Sequence, residues 1–337
     1  MQLTRIKIEN LRAIKSLDID LSEVGGGPRR QVVFIGANGS GKTTILDAIA
    51  HVYESVGADD LEELGTPGLS SGDVRGSDAS SEADDTPRPR GRLTVEGTLS
   101  SAEHHAARRH VAEAPGYGSL EFYLGGAWDA IGGVPTGTFR DAARAALLEA
   151  QPPCVLLPAD RGALEPGNEV TFKEVSKLDR RQGCLSKKRQ RFAPLGARLV
   201  MAFLVPKQAD PGGAVARMWK VLEKYFPELP RPVDVKDGDL WFETAEGAHV
   251  PLSALSEGER ALLLLFGEIA LRSPKDGLVM IDEVEQHLHP RWQRVVLAAI
   301  AALVPTAQII VTTQSPYLAA SAPDDRFKLG DWDRDGE

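Results

Sequence analysis

At 337 residues, with 42% hydrophobic and 26% charged side chains, the chain is long enough to bury one large core or two lobes of ordinary size. Its net charge of −9 argues against a protein that coats nucleic acid over its whole surface, although the charge is segregated, with Glu54 to Asp85 strongly acidic and Lys173 to Arg198 strongly basic. No apolar run approaches the roughly 20 residues of a membrane-spanning helix, and Cys154 and Cys184 form neither a C-x-x-C pair nor a ligand cluster, so neither a disulfide framework nor a zinc site is supported.

The opening residues set Ile6 and Ile8 in alternation with charged neighbours and lack an apolar signal region, so a strand over Leu3 to Glu9 and a cytoplasmic location are expected. A second short strand follows over Ser16 to Leu21. The apolar run Val32 to Ile35 ends at Gly36, and a helical pattern begins at Lys42 and runs to Val52: strand, glycine loop, helix. From about Gly57 to Gly91 the chain is rich in Ser, Gly, Asp, Glu and Pro and poor in large apolar side chains. Such a composition does not repay the entropy of ordering, and it predicts a flexible acidic insert. Strands over Leu93 to Leu99 and Ser119 to Leu124, a helix over Asp141 to Ala150 and a buried strand over Cys154 to Leu157 complete an expected N-terminal lobe, residues 1–160.

An inserted basic and helical region is expected over 161–250. There Val215, Met218, Trp219, Leu222 and Phe226 recur at helical spacing as a core-facing stripe that Pro227 and Pro230 close, and Leu240 to Glu243 with Gly238 suggests a hairpin. The last lobe, 251–337, holds a very apolar helix over Ala261 to Leu271 and an apolar strand over Leu278 to Ile281. No long heptad array occurs, so no coiled-coil arm is expected. The sum is an α/β chain of two lobes around a helical insertion.

Gly36-Ala37-Asn38-Gly39-Ser40-Gly41-Lys42-Thr43 fits the phosphate-loop pattern G-x-x-x-x-G-K-[ST], and it sits between a buried strand and a helix, as the chemistry requires. Glycines let backbone N–H groups turn toward phosphates, and the helix N-terminus adds its positive end. Lys42 is expected to reach the β- and γ-phosphates of ATP and Thr43 to offer its hydroxyl to Mg²⁺. The candidate nucleotide-binding set is Gly36, Asn38, Gly39, Ser40, Gly41, Lys42, Thr43 and Thr44. Asp282 and Glu283 end the strand Leu278 to Ile281, an arrangement that holds Mg²⁺ through Asp282 and polarises water through Glu283 as general base.

Leu255-Ser256-Glu257-Gly258-Glu259-Arg260 precedes the apolar helix and resembles the signature motif of ABC ATPases, usually written LSGGQ, departing from it at Glu257, Glu259 and Arg260. By itself the segment is also a Ser N-cap with Glu259 closing a capping box. The stretch Asp282-Glu283-Val284-Glu285-Gln286-His287-Leu288-His289-Pro290-Arg291-Trp292-Gln293, with Ile309-Ile310-Val311-Thr312-Thr313-Gln314-Ser315-Pro316, resembles the ABC-type ATPases of the SMC, RecF and OLD group, above all its compact bacterial members.

The resemblance implies ATP sandwiched in a homodimer or higher oligomer, with Ser256 and Gly258 of one subunit gripping the γ-phosphate held by the other. It implies that Arg12 approaches the nucleotide and that His287 and His289 face the partner subunit, or else cap the helix at Pro290. The group has His where this chain has Gln314, and glutamine orients water but does not carry a proton, so slow turnover is expected. The glutamine that links metal to the first lobe has two candidates, Gln151 and Gln182. The basic run Lys187 to Arg191 reads either as a contact to nucleic-acid backbone or an acidic partner, or as a solvated loop.

Three functions compete. The first is a nucleotide-gated switch for a nuclease, toxin or DNA substrate, which the resemblance places in genome maintenance or antiphage defence. Because the chain ends soon after Gly330, without the nuclease domain that OLD proteins append, the effector is expected to be a separate chain. The second is a scaffold that binds ATP with little turnover. The third, the nucleotide-binding subunit of a transporter, is disfavoured by the His-Leu-His-Pro stretch and the N-terminal strand.

Overall fold

The computed structural model describes residues 1–57, 91–111, 113–124, 138–149, 154–159, 195–210, 212–272 and 276–330. The acidic insert expected between Gly57 and Gly91, Gln151, Gln182, Cys184 and the basic residues from Lys173 to Arg191 lie outside the described residues. Strands β1 (Gln2–Leu11) and β2 (Ile14–Asp20) form a hairpin, and β3 (Gln31–Ile35) leads through the glycine loop into α1 (Lys42–Gly57). Next come β4 (Gly91–Thr98), α2 (Ser101–Arg108), β5 (Tyr117–Leu124), α3 (Thr138–Glu149) and β6 (Cys154–Leu157). The middle holds α4 (Leu195–Leu204), α5 (Ala214–Tyr225), β7 (Arg231–Lys236), β8 (Asp239–Glu243) and β9 (His249–Pro251). The final part holds α6 (Glu257–Arg272), β10 (Leu278–Ile281), α7 (Val296–Leu303), β11 (Gln308–Thr313) and β12 (Arg326–Lys328), with short helices at Pro290–Gln293 and Pro316–Ser321.

The strands make three sheets. One is antiparallel, in the order β2-β1-β4-β5; one is parallel, in the order β12-β3-β11-β10-β6; and β7-β8-β9 form a small meander. The parallel sheet draws β3 and β6 from the first half of the chain and β10, β11 and β12 from its end.

The apolar runs of this sheet read as continuous because both of its faces are buried. Alternate residues go to different cores. Phe34, Leu156, Met280 and Ile310 face a core shared with α1, α3 and the antiparallel sheet. Val33, Leu157, Ile281 and Val311 face a second core built with α4, α5, α6 and α7. Helix α6 is buried from Leu262 to Ala270, which accounts for its nearly uninterrupted apolar sequence. Its single buried carboxylate, Glu268, is matched by Arg272 at 2.9 Å and Arg198 at 3.9 Å. Arg198 therefore turns into the protein; it does not extend the basic surface expected over 173–198. Among the described residues no helix is long and apolar enough to cross a membrane.

Candidate functional site

Because β3, β11, β10 and β6 are parallel neighbours, their C-terminal ends share one edge of the sheet. In open α/β sheets this is the edge at which ligands bind. The loop after β3, Gln314 after β11 and the Asp282-Glu283 pair after β10 come together there, although Thr43 of the loop and Asp282 are 239 positions apart in sequence.

The glycines of the loop do distinct work. Gly39 and Gly41 have φ of 80° and 88°, in the left-handed region where a Cβ is strained. A Cβ on Gly36 would overlap the Ser40 hydroxyl and lie 3.2 Å from the Leu329 carbonyl. The side chain of Lys42 is buried, and its ammonium donates to the carbonyls of Gly36 at 2.8 Å and Ala37 at 2.7 Å. Ser40 and Thr44 are buried beside it.

Asp282, also buried, accepts a hydrogen bond from Thr43 Oγ1 on Oδ2 at 2.8 Å and one from Thr312 Oγ1 on Oδ1. Its own N–H donates to the Leu157 carbonyl at 2.8 Å, which ties the end of β10 to β6. Glu283 follows with φ of 45°. Gln314 spans the gap between the two walls of the site: its Nε2 donates to Asn38 Oδ1 at 2.5 Å and to Glu283 Oε1 at 3.2 Å. The Gln314 N–H donates to Glu285 Oε1 at 2.6 Å. Below it, Ser315 Oγ donates to Gln293 Oε1 at 2.6 Å, and Gln293 Nε2 to the Leu288 carbonyl at 2.7 Å.

A hydroxyl and a carboxylate side by side are hard oxygen donors, the set that suits Mg²⁺ together with phosphate oxygens. Among the described residues no cluster of three or more His, Cys, Asp or Glu could hold a metal alone. That pattern fits an ion which keeps most of its shell in water and phosphate and takes only one or two protein ligands.

The signature-like segment stands elsewhere on the chain. Ser256 and Glu259 form the reciprocal capping box, with Ser256 N–H donating to Glu259 Oε2 at 2.7 Å and Glu259 N–H to Ser256 Oγ at 3.3 Å. Gly258 has a packing reason as well, since a Cβ there would lie 2.9 Å from the His287 carbonyl and 3.1 Å from the Trp292 ring. Ser256, Gly258, His287 and Trp292 line an open pocket of about 530 Å³, to which no residue of the glycine loop contributes. His287, with φ of 63°, pairs with Glu257 at 3.0 Å, whereas His289 caps the short helix at Pro290 by accepting from the Arg291 N–H at 3.2 Å.

Arg12, placed near the nucleotide by resemblance, donates to Asp47 Oδ2 at 2.6 Å and so pins the β1–β2 hairpin to α1 one turn past Thr43. The sequence reading missed Thr312, Glu285, Gln293 and Asp47. Only Thr312 carried a visible signal, a hydroxyl directly after the aliphatic run Ile309 to Val311 of a buried strand.

Residues 1–74 match the AAA_15 family, described as an AAA ATPase domain. Residues 201–320 match AAA_21, an AAA domain described with the AbiEii toxin and Type IV TA systems. The Retron Vc95 probable ATPase of Vibrio cholerae is 31% identical over 94 residues, 25% of this chain and 18% of that protein. The Septu protein PtuA of Bacillus thuringiensis is 45% identical over 99 residues, 27% of this chain and 24% of that protein. The chain thus spans about a quarter or less of these relatives. An SMC head solved with the C-winged helix domain of ScpA superposes with a TM-score of 0.53 at 15% identity, over 95% of this chain and 92% of that one. Both family matches are ATPase domains, and they fall on the two ends of a single SMC-head-like α/β fold.

Proposed function

We propose that this chain is an ATP-binding and ATP-hydrolysing switch that closes into a homodimer around ATP and thereby controls a separate effector in antiphage defence or genome maintenance. The observation that carries the reading is the meeting at the sheet edge of two hydrogen-bonded groups, Thr43 with Asp282 and Gln314 with Asn38 and Glu283, on the adjacent residues Asp282 and Glu283. ATP phosphates would lie over Gly36 to Thr44, with Lys42 and the N-terminus of α1 as the positive wall. Mg²⁺ would be held by Thr43 and Asp282 and would neutralise phosphate charge. Glu283 takes the proton of the attacking water, while Gln314 orients that water and connects it to Asn38. Ser256 and Gly258 would meet the γ-phosphate of a second copy. The names of the retron and Septu relatives support the defence setting, and a nuclease, a toxin or DNA contacted through the basic residues of 173–198 other than Arg198 would be the controlled element.

Equilibrium dialysis with labelled ATP tests the phosphate loop. Lys42→Ala should lose measurable binding and keep the wild-type circular dichroism, because Lys42 compensates phosphate charge; affinity within about threefold of wild type would sink the assignment. A second reading, a scaffold with little turnover, is favoured by Gln314 itself, an amide that cannot relay a proton. Phosphate release by the wild type no faster than by Glu283→Gln selects it.

A further inference from the structure

Thr312 is 0% exposed, one position before the end of a fully buried strand in which Ile309 to Val311, the three residues ahead of it, are aliphatic. Packing alone would be served by valine, which has the same shape. The hydroxyl is nevertheless fully used: Oγ1 gives its one proton to Asp282 Oδ1 and accepts the Glu283 N–H at 2.8 Å. The Thr312 carbonyl accepts the Val284 N–H at 3.2 Å. One residue of β11 thus holds three consecutive residues that follow β10, and it lies two positions before Gln314. The register Ile281 with Val311 places it beside Asp282. Glu283 sits there at φ 45°, a conformation an L residue keeps only when its surroundings fix it.

We propose that Thr312 is a positioning residue of this site, which locks Asp282 and Glu283 to the strand that carries Gln314 so that the metal side and the water side are held in one register. The proposal rests on the reading of Asp282 and Glu283 given above. Without the hydroxyl, Asp282 would keep only its Thr43 partner of the two, and the Glu283 backbone would lose the acceptor for its N–H.

The experiment compares the full chain as wild type, Thr312→Val and Thr312→Ser. ATP-induced shifts in melting temperature are read in EDTA and in Mg²⁺, alongside single-turnover hydrolysis. Thr312→Val should keep the shift seen in EDTA, lose the extra shift that Mg²⁺ adds, and turn over about 10²-fold more slowly, the scale expected when reacting groups are misplaced by about 1 Å. Thr312→Ser should recover both. Where the valine variant fails to fold, Thr312→Cys takes its place, since a thiol is a poor donor of similar size. An unchanged Mg²⁺ increment in the valine or cysteine variant overturns the proposal, as does a serine variant as impaired as valine. If the wild type shows no ATP-induced shift at all, the phosphate-loop reading fails first, and Lys42→Ala reveals that case by matching the wild type.

Discussion

His51 lies on α1, the helix whose first turn supplies Lys42 and Thr43, and it faces inward with 4% of its surface exposed. Burial pushes its pKa down from the ordinary 6.5 to about 4. Between those two values the unfolded chain binds a proton that the folded chain refuses, so stability rises with pH across the window and is lost on acidification from about 6.5 toward about 4. The loss from this one group amounts to about 3 kcal/mol at most. Melting temperatures of wild type and His51→Leu between pH 7 and pH 4.5 check it. The wild-type curve should fall more steeply, with the difference opening below about pH 6.5; parallel curves would show that His51 titrates alike in both states. Glu283 illustrates the same scale differently, because a left-handed backbone at an L residue costs about 1–2 kcal/mol. Here the strain coincides with the residue that must present its carboxylate to Gln314.

Between elements, the antiparallel and parallel sheets are joined by a side chain that behaves like a piece of strand. Gln308 begins β11 with 1% exposure; its Oε1 accepts the Leu3 N–H at 2.7 Å, and its Nε2 donates to the carbonyls of Leu3 and Arg29, both at 2.8 Å. The contact falls where the β1–β4 register shifts, between Leu3 and Arg5. Gln308→Ala should cost about 2–4 kcal/mol in urea unfolding, because it strands a buried backbone donor and two carbonyls. Gln308→Glu should be at least as damaging, since it sets a carboxylate against those two carbonyls, and a glutamate variant as stable as wild type would refute the assignment of its amide. This clip was invisible in the sequence, where Gln308 is one polar residue ahead of an apolar run. The strands of the parallel sheet were legible, because burial on both faces leaves uninterrupted apolar runs, and α1 and α6 because their glycine or serine starts are followed by long apolar stretches. Helix α2 was not, although Ser100 and Glu103 form its capping box; it is short and mostly polar. β12 is three residues, one phenylalanine between two charged side chains, and it forms where β3 offers an edge to Arg326, Phe327 and Lys328. At the site, the glycine loop and the paired carboxylates could be read from spacing, whereas the Thr312 and Glu285 contacts depend on how β10 and β11 align.

At the scale of the whole molecule, the proposed function requires one chain to carry two incomplete halves of a nucleotide site. Thr43, Asp282, Glu283 and Gln314 are joined by hydrogen bonds, while Ser256 and Gly258 belong to a separate pocket with Glu228, His287 and Trp292. Two copies related by a twofold axis would bring each half against the other, an isologous arrangement in which both ATP molecules become part of the interface. Closure should then depend on ATP and persist when hydrolysis is blocked. Glu283→Gln removes the proposed base, a change that typically slows a reaction by about 10² to 10⁴, and leaves the phosphate loop and Thr43–Asp282 pair in place. Sizing with multi-angle light scattering should show this variant as a dimer in ATP and Mg²⁺ and as a smaller species in EDTA, with the wild type returning to the smaller species as ATP is consumed. Adding Ser256→Arg should abolish the dimer while leaving ATP binding near wild type, because the arginine fills the pocket offered to the second copy and touches none of the phosphate-loop residues. A Glu283→Gln protein that stays monomeric in ATP and Mg²⁺ would remove the sandwich from the function of the isolated chain, and an ATP-linked dimer that survives Ser256→Arg would move the interface to another face.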